Sequence, residues 1–150
     1  MARRVFRFRL NSHPEGDQPP ATTLRLERQD ETGAWEELQP SLATPGFRLY
    51  LSSMLICLHY HLVSEAREQG LALREVRGDF SATTAEDWTL EEVSAEFRLV
   101  LDPGTSPSED ATALGEAGLI ERMRARLLGC PVLRNLEASC RRSLSLQLER

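Results

Sequence analysis

Apolar and polar residues alternate near the start of the chain, which is the pattern of half-buried β-strands. Phe6, Phe8 and Leu10 occupy every second position, with arginines between them. The same period of two returns over 22–28 and, more briefly, over 35–38. Because successive side chains of a strand point to opposite faces, each segment can bury one face against a core. The chain is therefore predicted to open with three strands, and a loop rich in proline, glycine and aspartate is predicted over 13–20.

The pattern changes period after residue 46. Neither glycine nor proline occurs over 47–69, and apolar residues occupy nearly every face of the implied helix until the charged residues that begin at Glu65. Gly70 follows as a suitable C-terminal cap. A helix that is apolar on most sides has to be enclosed by a sheet or by a partner subunit.

The second half of the chain returns to strands and then adds another helix. We predict the remaining strands over 71–80, 88–101 and 143–148, and a helix over 113–128. The predicted fold is α+β, an antiparallel sheet around a long central helix with a second helix before the C-terminal strand. At 150 residues one domain is expected, with the N-terminal strands in 1–39 and the other elements in 40–150.

Charge composition removes several classes of function. All 18 basic residues are arginine, and 23 acidic residues give a net charge of −5. Without lysine there is no Schiff base and no P-loop lysine, and an acidic balance argues against a nucleic-acid partner. The most apolar stretch, 49–63, is too short to span a membrane. Three cysteines do not make a disulfide framework, which favours a cytoplasmic protein. Together with the charge and the short apolar stretch, this leads us to expect neither nucleic acid nor membrane as a partner.

Two of the cysteines occupy positions that invite a chemical interpretation. Cys57 lies in the middle of the long predicted helix, where a buried packing role is the simplest interpretation. Cys130 lies between a helix end at Gly129 and a proline that can open another helical turn, a setting that favours thiolate. Spacing alone leaves open whether the two form a redox pair.

Two segments carry a resemblance to a known family. The sequence SEAREQGLALREVRG over 64–78 and the sequence GCPVLRNL over 129–136 resemble the helix-to-strand passage and the Cys-Pro-Val segment of the OsmC-like and organic hydroperoxide resistance family. Cys57 falls in the first long helix, where that family carries its other cysteine. The predicted order of elements also matches the family, and the resemblance covers about 45–148.

The resemblance implies a thiol peroxidase built as an intertwined homodimer, with a site at the subunit interface. A Cys57 thiolate would attack a hydroperoxide and become a sulfenic acid, and Cys130 would condense with it to a disulfide. An external dithiol would restore both thiols by exchange. The implied reaction uses neither a metal nor an organic cofactor.

The sequence departs from the family pattern upstream of Cys57. Family members that reduce organic peroxides usually carry a glutamate about ten residues before this cysteine, paired with an arginine that supports the thiolate. No acidic residue lies between Glu37 and Cys57, and Arg48 stands near the expected position of the glutamate. Arg48 is a candidate cation for the thiolate, but a straight helix would place it ~13.5 Å away along the axis, so contact needs a bend or the other subunit.

Two further functions compatible with the same fold stay open. One is a non-catalytic dimer that binds a small apolar ligand at its interface, and the other is a thiol redox sensor that forms the disulfide without rapid turnover.

For the other reactive side chains, structural roles are predicted rather than chemical ones. Cys57, His59 and His61 suggest a metal cluster, but only Cys57 and His61 share a helix face, and two ligands are too few, so no metal site is predicted. A packing role is the default for Cys140. The alternating arginines within 122–126 are predicted to lie on a solvated helix surface.

Overall fold

The computed structural model describes residues 3–14 and 23–150. The predicted loop over 13–20 therefore lies mostly outside the described residues. The elements, in chain order, are β1 (Arg4–His13), β2 (Thr23–Gln29), β3 (Trp35–Glu37), α1 (Gly46–Glu68), β4 (Leu73–Thr84), β5 (Leu90–Leu101), α2 (Glu109–Leu128), α3 (Pro131–Arg134) and β6 (Arg141–Glu149).

The described strands form one six-stranded sheet in the order β3-β2-β1-β4-β5-β6. Neighbouring strands run antiparallel, as predicted, except that β6 runs parallel to β5. The exception follows from the connection between the two strands. A parallel pair needs a crossover, and α2 and α3 together provide it. The α+β prediction is confirmed, and its antiparallel sheet has one parallel edge.

Helix α1 packs on one face of this sheet and supplies much of the core. Side chains of β1, β4 and β5 meet the buried side of α1 in a single apolar cluster. Its members with no more than 2% exposure include Phe8, Leu10, Leu51, Met54, Leu55, Leu58, Leu62, Val76, Phe97 and Leu99. Burial of one such aliphatic or aromatic side chain stabilises the fold by about 1.5–3 kcal/mol, so this interface fixes where the rest of α1 faces.

A glycine on β4 allows α1 to approach the sheet closely. A Cβ atom at Gly78 would lie 2.7 Å from Cε1 of Phe97 and 3.3 Å from Cδ1 of Leu55. Any side chain here would therefore have to displace both neighbours. Gly70 lies just after α1. Its φ of +73° is the left-handed conformation that its predicted C-terminal capping role requires.

The side of α1 that faces away from the sheet is also apolar. Tyr50, Ser53, Ile56 and Tyr60 recur at a spacing of three or four residues and form what we call the α1 stripe. Its three large side chains are 40%, 38% and 52% exposed, in chain order. The sheet therefore encloses only part of α1. Helix α1 was predicted to need a sheet or a partner subunit around it, and the sheet leaves the large side chains of the α1 stripe exposed.

Helix α2 starts earlier than the sequence pattern predicted. Its first turn is held by Ser108, whose Oγ accepts a hydrogen bond from the N–H of Ala111 at 3.1 Å. Gly115 interrupts the helix with a non-helical φ of 70° and ψ of 175°. The periodic apolar face begins only after this kink, which is why the periodicity missed the first turn. None of the described helices is long and apolar enough to cross a membrane.

Candidate functional site

The fold brings together two cysteines and a histidine from distant parts of the sequence. One ligand-capable atom from each of Cys57, His61 and Cys130 lies within 4.8 Å of the other two. Cys57 and His61 are one turn apart on α1, so their side chains share a face of the helix. Cys130 comes from the connection between α2 and α3. The predicted neighbourhood of Cys57 and Cys130 is therefore present, and His61 belongs to it.

The position of Cys130 follows from how the two short connections around it fold. Its N–H donates to the carbonyl of Leu127 at 3.0 Å, which closes the last turn of α2. Pro131 then opens α3, with Cys130 as its N-cap residue. Cys130 is fully buried, whereas Cys57 is half-buried. Cys57 is therefore the thiol that a solute can reach more easily.

Arg142 holds this connection in place, a role that no sequence pattern indicated. Its guanidinium donates hydrogen bonds to carbonyl oxygens of Leu133 at 3.2 Å, Leu136 at 2.9 Å and Cys140 at 3.0 Å. The last carbonyls of a helix have no partner within the helix, so a buried end needs such donors. Arg142 lies on β6, and it therefore ties α3 and the turn that follows it to the sheet.

The environment of Cys57 favours the neutral thiol. Burial, and then the hydrogen bond and charge interaction with Cys130, raise the pKa of Cys57 to about 11, while the backbone N–H of Val132 acts in the opposite direction. No arginine is among the groups of the described chain that shift this pKa. In a single chain Cys57 is therefore protonated at neutral pH, and a thiolate here needs a cation from another source.

The proposed cation, Arg48, is not beside Cys57 within one chain. Arg48 lies in the first turn of α1, nine residues before Cys57. Nine residues correspond to about 900° of rotation, or half a turn beyond two full turns, and to ~13.5 Å along the axis. The two side chains thus leave opposite sides of α1. A role for Arg48 requires a second copy of the chain and stays a prediction.

Two arginines of β1 also face away from the cysteines. Phe8 and Leu10 are buried toward α1, so Arg7 and Arg9 project from the opposite face of the sheet. Arg9 pairs with a β2 carboxylate at 2.5 Å, and Arg7 donates to a β2 amide at 3.2 Å.

The two histidines on either side of Tyr60 point in different directions, as the helical spacing predicted. His59 is buried, and its Nε2 lies 2.6 Å from the Oγ of Ser12 on β1. His61 faces Cys57 and meets the ring of Tyr60 edge to face at 5.5 Å. His59 therefore belongs to the core, and only His61 belongs to the cysteine cluster.

The arginines of α2 lie on an accessible helix surface, as predicted, with side chains that are 52%, 42% and 31% exposed in chain order, and two of them also pair with α1. Arg122 and Arg126, four residues apart, share a face and reach the carboxylate of Glu65 on α1 at 3.1 and 2.5 Å. The Glu65 side chain is only 6% exposed. Burial raises its pKa, but the hydrogen bonds from Arg126 and Gln69 and the two guanidinium charges outweigh burial, so that the pKa lies below its usual value.

Cys140 is buried, at 2% exposure, and burial raises the pKa of its thiol. Its structural environment agrees with the predicted packing role, because reactive cysteines need exposure and a lowered pKa.

A separate apolar cavity of about 420 Å³ lies between α2 and the end of β5, with Leu71, Leu101 and Leu119 among its walls. None of its described lining residues belongs to the cysteine cluster.

Comparison with known proteins identifies solved structures with a similar fold. No family model and no curated protein matches the sequence. Among solved structures, an OsmC-like protein from Mycoplasma pneumoniae is 12% identical, with a TM-score of 0.53, and the match covers 84% of this chain and 89% of that one.

Two other solved structures give the same result. An OsmC-like protein of unknown function from Vibrio cholerae is 10% identical over 80% of this chain and 83% of that one, with a TM-score of 0.52. A hypothetical protein from Aquifex aeolicus is 13% identical over 84% and 89%, with a TM-score of 0.50. At these identities the likeness concerns the path of the backbone. The chain has the OsmC-like fold.

Proposed function

We propose that the protein reduces hydroperoxides, with Cys57 as the peroxidatic thiol and Cys130 as the resolving thiol. The observation that carries this proposal is the approach of the two sulfurs to within 4.8 Å across an interhelical contact. Both thiols are free, and no other pair of the three cysteines is part of a described cluster. The OsmC-like fold, to which the sequence resemblance also points, supports the same assignment.

The reaction cycle balances with the residues present. The Cys57 thiolate attacks one peroxide oxygen, the O–O bond breaks, and an alcohol leaves after it takes up a proton. The sulfenic acid then condenses with the Cys130 thiol, which forms the disulfide and releases water. An external dithiol returns two electrons and two protons by thiol–disulfide exchange. A cytoplasmic location, where thiols are kept reduced, belongs to this proposal.

A homodimer is the second part of the proposal, because the α1 stripe needs cover. Large exposed apolar side chains that recur along one helix are typical of a protein interface, and tyrosine is enriched there. A two-fold axis would bury the α1 stripe of one copy against that of its partner. Cys57 borders this stripe, so a partner side chain at the interface could supply the cation that the single chain lacks.

A peroxide titration tests the chemistry. Reduced protein receives one equivalent of cumene hydroperoxide, and mass spectrometry follows the thiols. We expect the loss of two hydrogens and a peptide that joins Cys57 to Cys130, followed by turnover when a dithiol is added. The Cys130→Ser variant should instead trap a sulfenic acid on Cys57. The matched Cys140→Ser variant should behave as wild type, and thiols that stay intact after long exposure would refute the proposal.

A redox sensor is the alternative that one observation favours. With a pKa of about 11, Cys57 in a single chain holds little thiolate at neutral pH. A sensor tolerates slow oxidation, whereas a peroxidase needs fast turnover. Stopped-flow measurement of Cys57 oxidation distinguishes them. A rate constant no greater than that of a free thiol at the same pH, together with complete disulfide formation, would support the sensor.

The dimer has its own test. Ile56→Asp would place a charge in the middle of the α1 stripe, and light scattering after gel filtration should then report a monomer in place of a dimer. Leu114→Asp is the matched control, because Leu114 is similarly exposed, at 42%, but lies on α2. Wild-type protein that elutes as a monomer at high concentration would contradict the homodimer.

A further inference from the structure

We propose that Cys57, His61 and Cys130 form a binding site for a zinc ion, with three protein ligands and one coordination position left for water or another small ligand. The site shares its two thiols with the proposed peroxide chemistry. Zinc binding does not require those thiols to be oxidised, so this inference stands or falls separately from the proposed function.

The donor set is the first argument. Two thiolates and one imidazole are ligands that zinc prefers, and two cysteines with one histidine, plus an open position, are a known arrangement in catalytic zinc sites. Sequence spacing predicted no metal site, because only Cys57 and His61 share a helix face. Cys130 is the third ligand, and the fold alone brings it to that face.

The distances are the second argument. Tetrahedral zinc, with Zn–S bonds of ~2.3 Å and Zn–N bonds of ~2.0 Å, holds neighbouring ligand atoms about 3.5–3.8 Å apart. The three donor atoms already lie within 4.8 Å of one another. Zinc binding therefore requires neighbouring donor atoms to approach by about 1 Å at most.

The supporting structure is the third argument. A spacing of i and i+4 on one helix is also how the two histidines of the H-E-x-x-H motif hold zinc. The third ligand lies on a connection that Arg142 fixes through three carbonyl oxygens. Two ligands therefore come from a packed helix and the third from a restrained turn, so little ordering is needed when the ion binds.

Charge is the fourth argument. Cys57 and Cys130 lie close enough that two thiolates at these positions would repel each other. A divalent cation would supply the positive charge that two neighbouring thiolates need. The cluster is partly accessible, because Cys57 and His61 are half-buried.

Cobalt titration of the reduced full-length protein tests the site. We expect one Co²⁺ per chain, a thiolate-to-cobalt charge-transfer band in the near ultraviolet, and the intense visible bands of tetrahedral cobalt, all abolished by one equivalent of Zn²⁺. Cys57→Ser and Cys130→Ser should lose the charge-transfer intensity in part and weaken binding. His61→Ala should weaken binding by more than about tenfold, since even changes outside the ligand shell cost ~10–100-fold.

Two control variants separate the cluster from general effects. Cys140→Ser and His59→Gln remove a thiol and an imidazole outside the cluster and should bind cobalt as wild type does. A charge-transfer band that is absent from wild-type protein, or that persists unchanged in both Cys57→Ser and Cys130→Ser, would overturn the inference.

A labelling experiment covers the case in which a cysteine variant fails to fold. Wild-type protein is alkylated with and without Zn²⁺, and mass spectrometry compares Cys57 with Cys140. Zinc should protect Cys57 and leave Cys140 unchanged, and equal labelling of Cys57 in both conditions would refute the site. Disulfide formation with hydroperoxide is measured on separate metal-free samples, so failure of either proposal is recognised independently.

Discussion

Ser12 on β1 and His59 on α1 are joined by a hydrogen bond inside the core, with 2.6 Å between Oγ and Nε2. Both residues are buried, at 0% and 4% exposure. The serine hydroxyl satisfies one nitrogen of the ring, so a neutral imidazole is tolerated between sheet and helix. A charged imidazole is disfavoured by burial, and this lowers the pKa of His59 to about 4.

We predict that this pair makes the fold sensitive to mild acid. The pKa of His59 lies at about 4 in the folded chain, against 6.5 for an ordinary histidine. Stability is therefore present in full above pH ~6.5 and is lost as the pH falls toward 4, because the unfolded chain binds the proton first. The total loss is about 3 kcal/mol, of which about 2 kcal/mol should have occurred by pH ~5. Urea denaturation at pH 7.5 and 5 measures it.

His59→Gln keeps a polar partner for Ser12 but cannot titrate. Its free energy of unfolding should fall less than that of wild type between the same two pH values. His13→Gln changes an exposed histidine and should keep the wild-type difference. Equal pH dependence in wild type and His59→Gln would show that other groups are responsible.

The ion pair between α1 and α2 leads to a second prediction. Arg126→Met removes the closer guanidinium from the buried carboxylate of Glu65, and it should lower the free energy of unfolding by about 2–3 kcal/mol, because a buried charge loses a partner. Arg141→Met breaks an exposed pair with Glu92, whose side chains are 71% and 40% accessible, and should cost less than about 1 kcal/mol. Denaturation curves of both variants at neutral pH make the comparison, and similar losses would mean that Glu65 does not depend on Arg126.

The periodicity of the sequence was sufficient for most of the fold, and the reason is local. Residues 47–69 contain no glycine or proline, so the long helix is specified by its own segment, and the structure has it over Gly46–Glu68. The direction of β6 was not predictable in this way. It depends on where the crossover returns the chain, and no local pattern encodes that.

The candidate site was predictable only in part. Helical spacing correctly separated His59 from His61, because a helix fixes the angle between neighbouring side chains. It could not reveal that Cys130 completes a cluster with His61, or that Arg142 supports the turn, because both contacts join residues far apart in the sequence. The same limitation applies to the ion pairs of the α2 arginines, because their partner Glu65 lies on another helix.

Gly78 provides a third prediction, concerning how closely α1 packs on the sheet. Gly78→Ala would place a Cβ atom 2.7 Å from the ring of Phe97 and should destabilise the fold by about 1–3 kcal/mol through overpacking. Gly46→Ala is the matched control, because nothing lies within 4 Å of its Cβ position, and it should be neutral or slightly stabilising. Thermal unfolding of the two variants compares them, and an unchanged Tm for Gly78→Ala would mean that α1 moves away at little cost.

Arg142 provides the last prediction, which links packing to the site. Arg142→Met removes the donors that hold the carbonyls of Leu133, Leu136 and Cys140, and each lost hydrogen bond costs about 0.5–1.5 kcal/mol. The turn that carries Cys130 should then be less restrained. We expect faster alkylation of Cys130 and slower closure of the Cys57–Cys130 disulfide after peroxide addition, because the resolving thiol is less often in position. Arg134→Met, an exposed change on α3 itself, should leave both rates as in wild type. Unchanged rates in Arg142→Met would show that the turn holds its shape without the guanidinium.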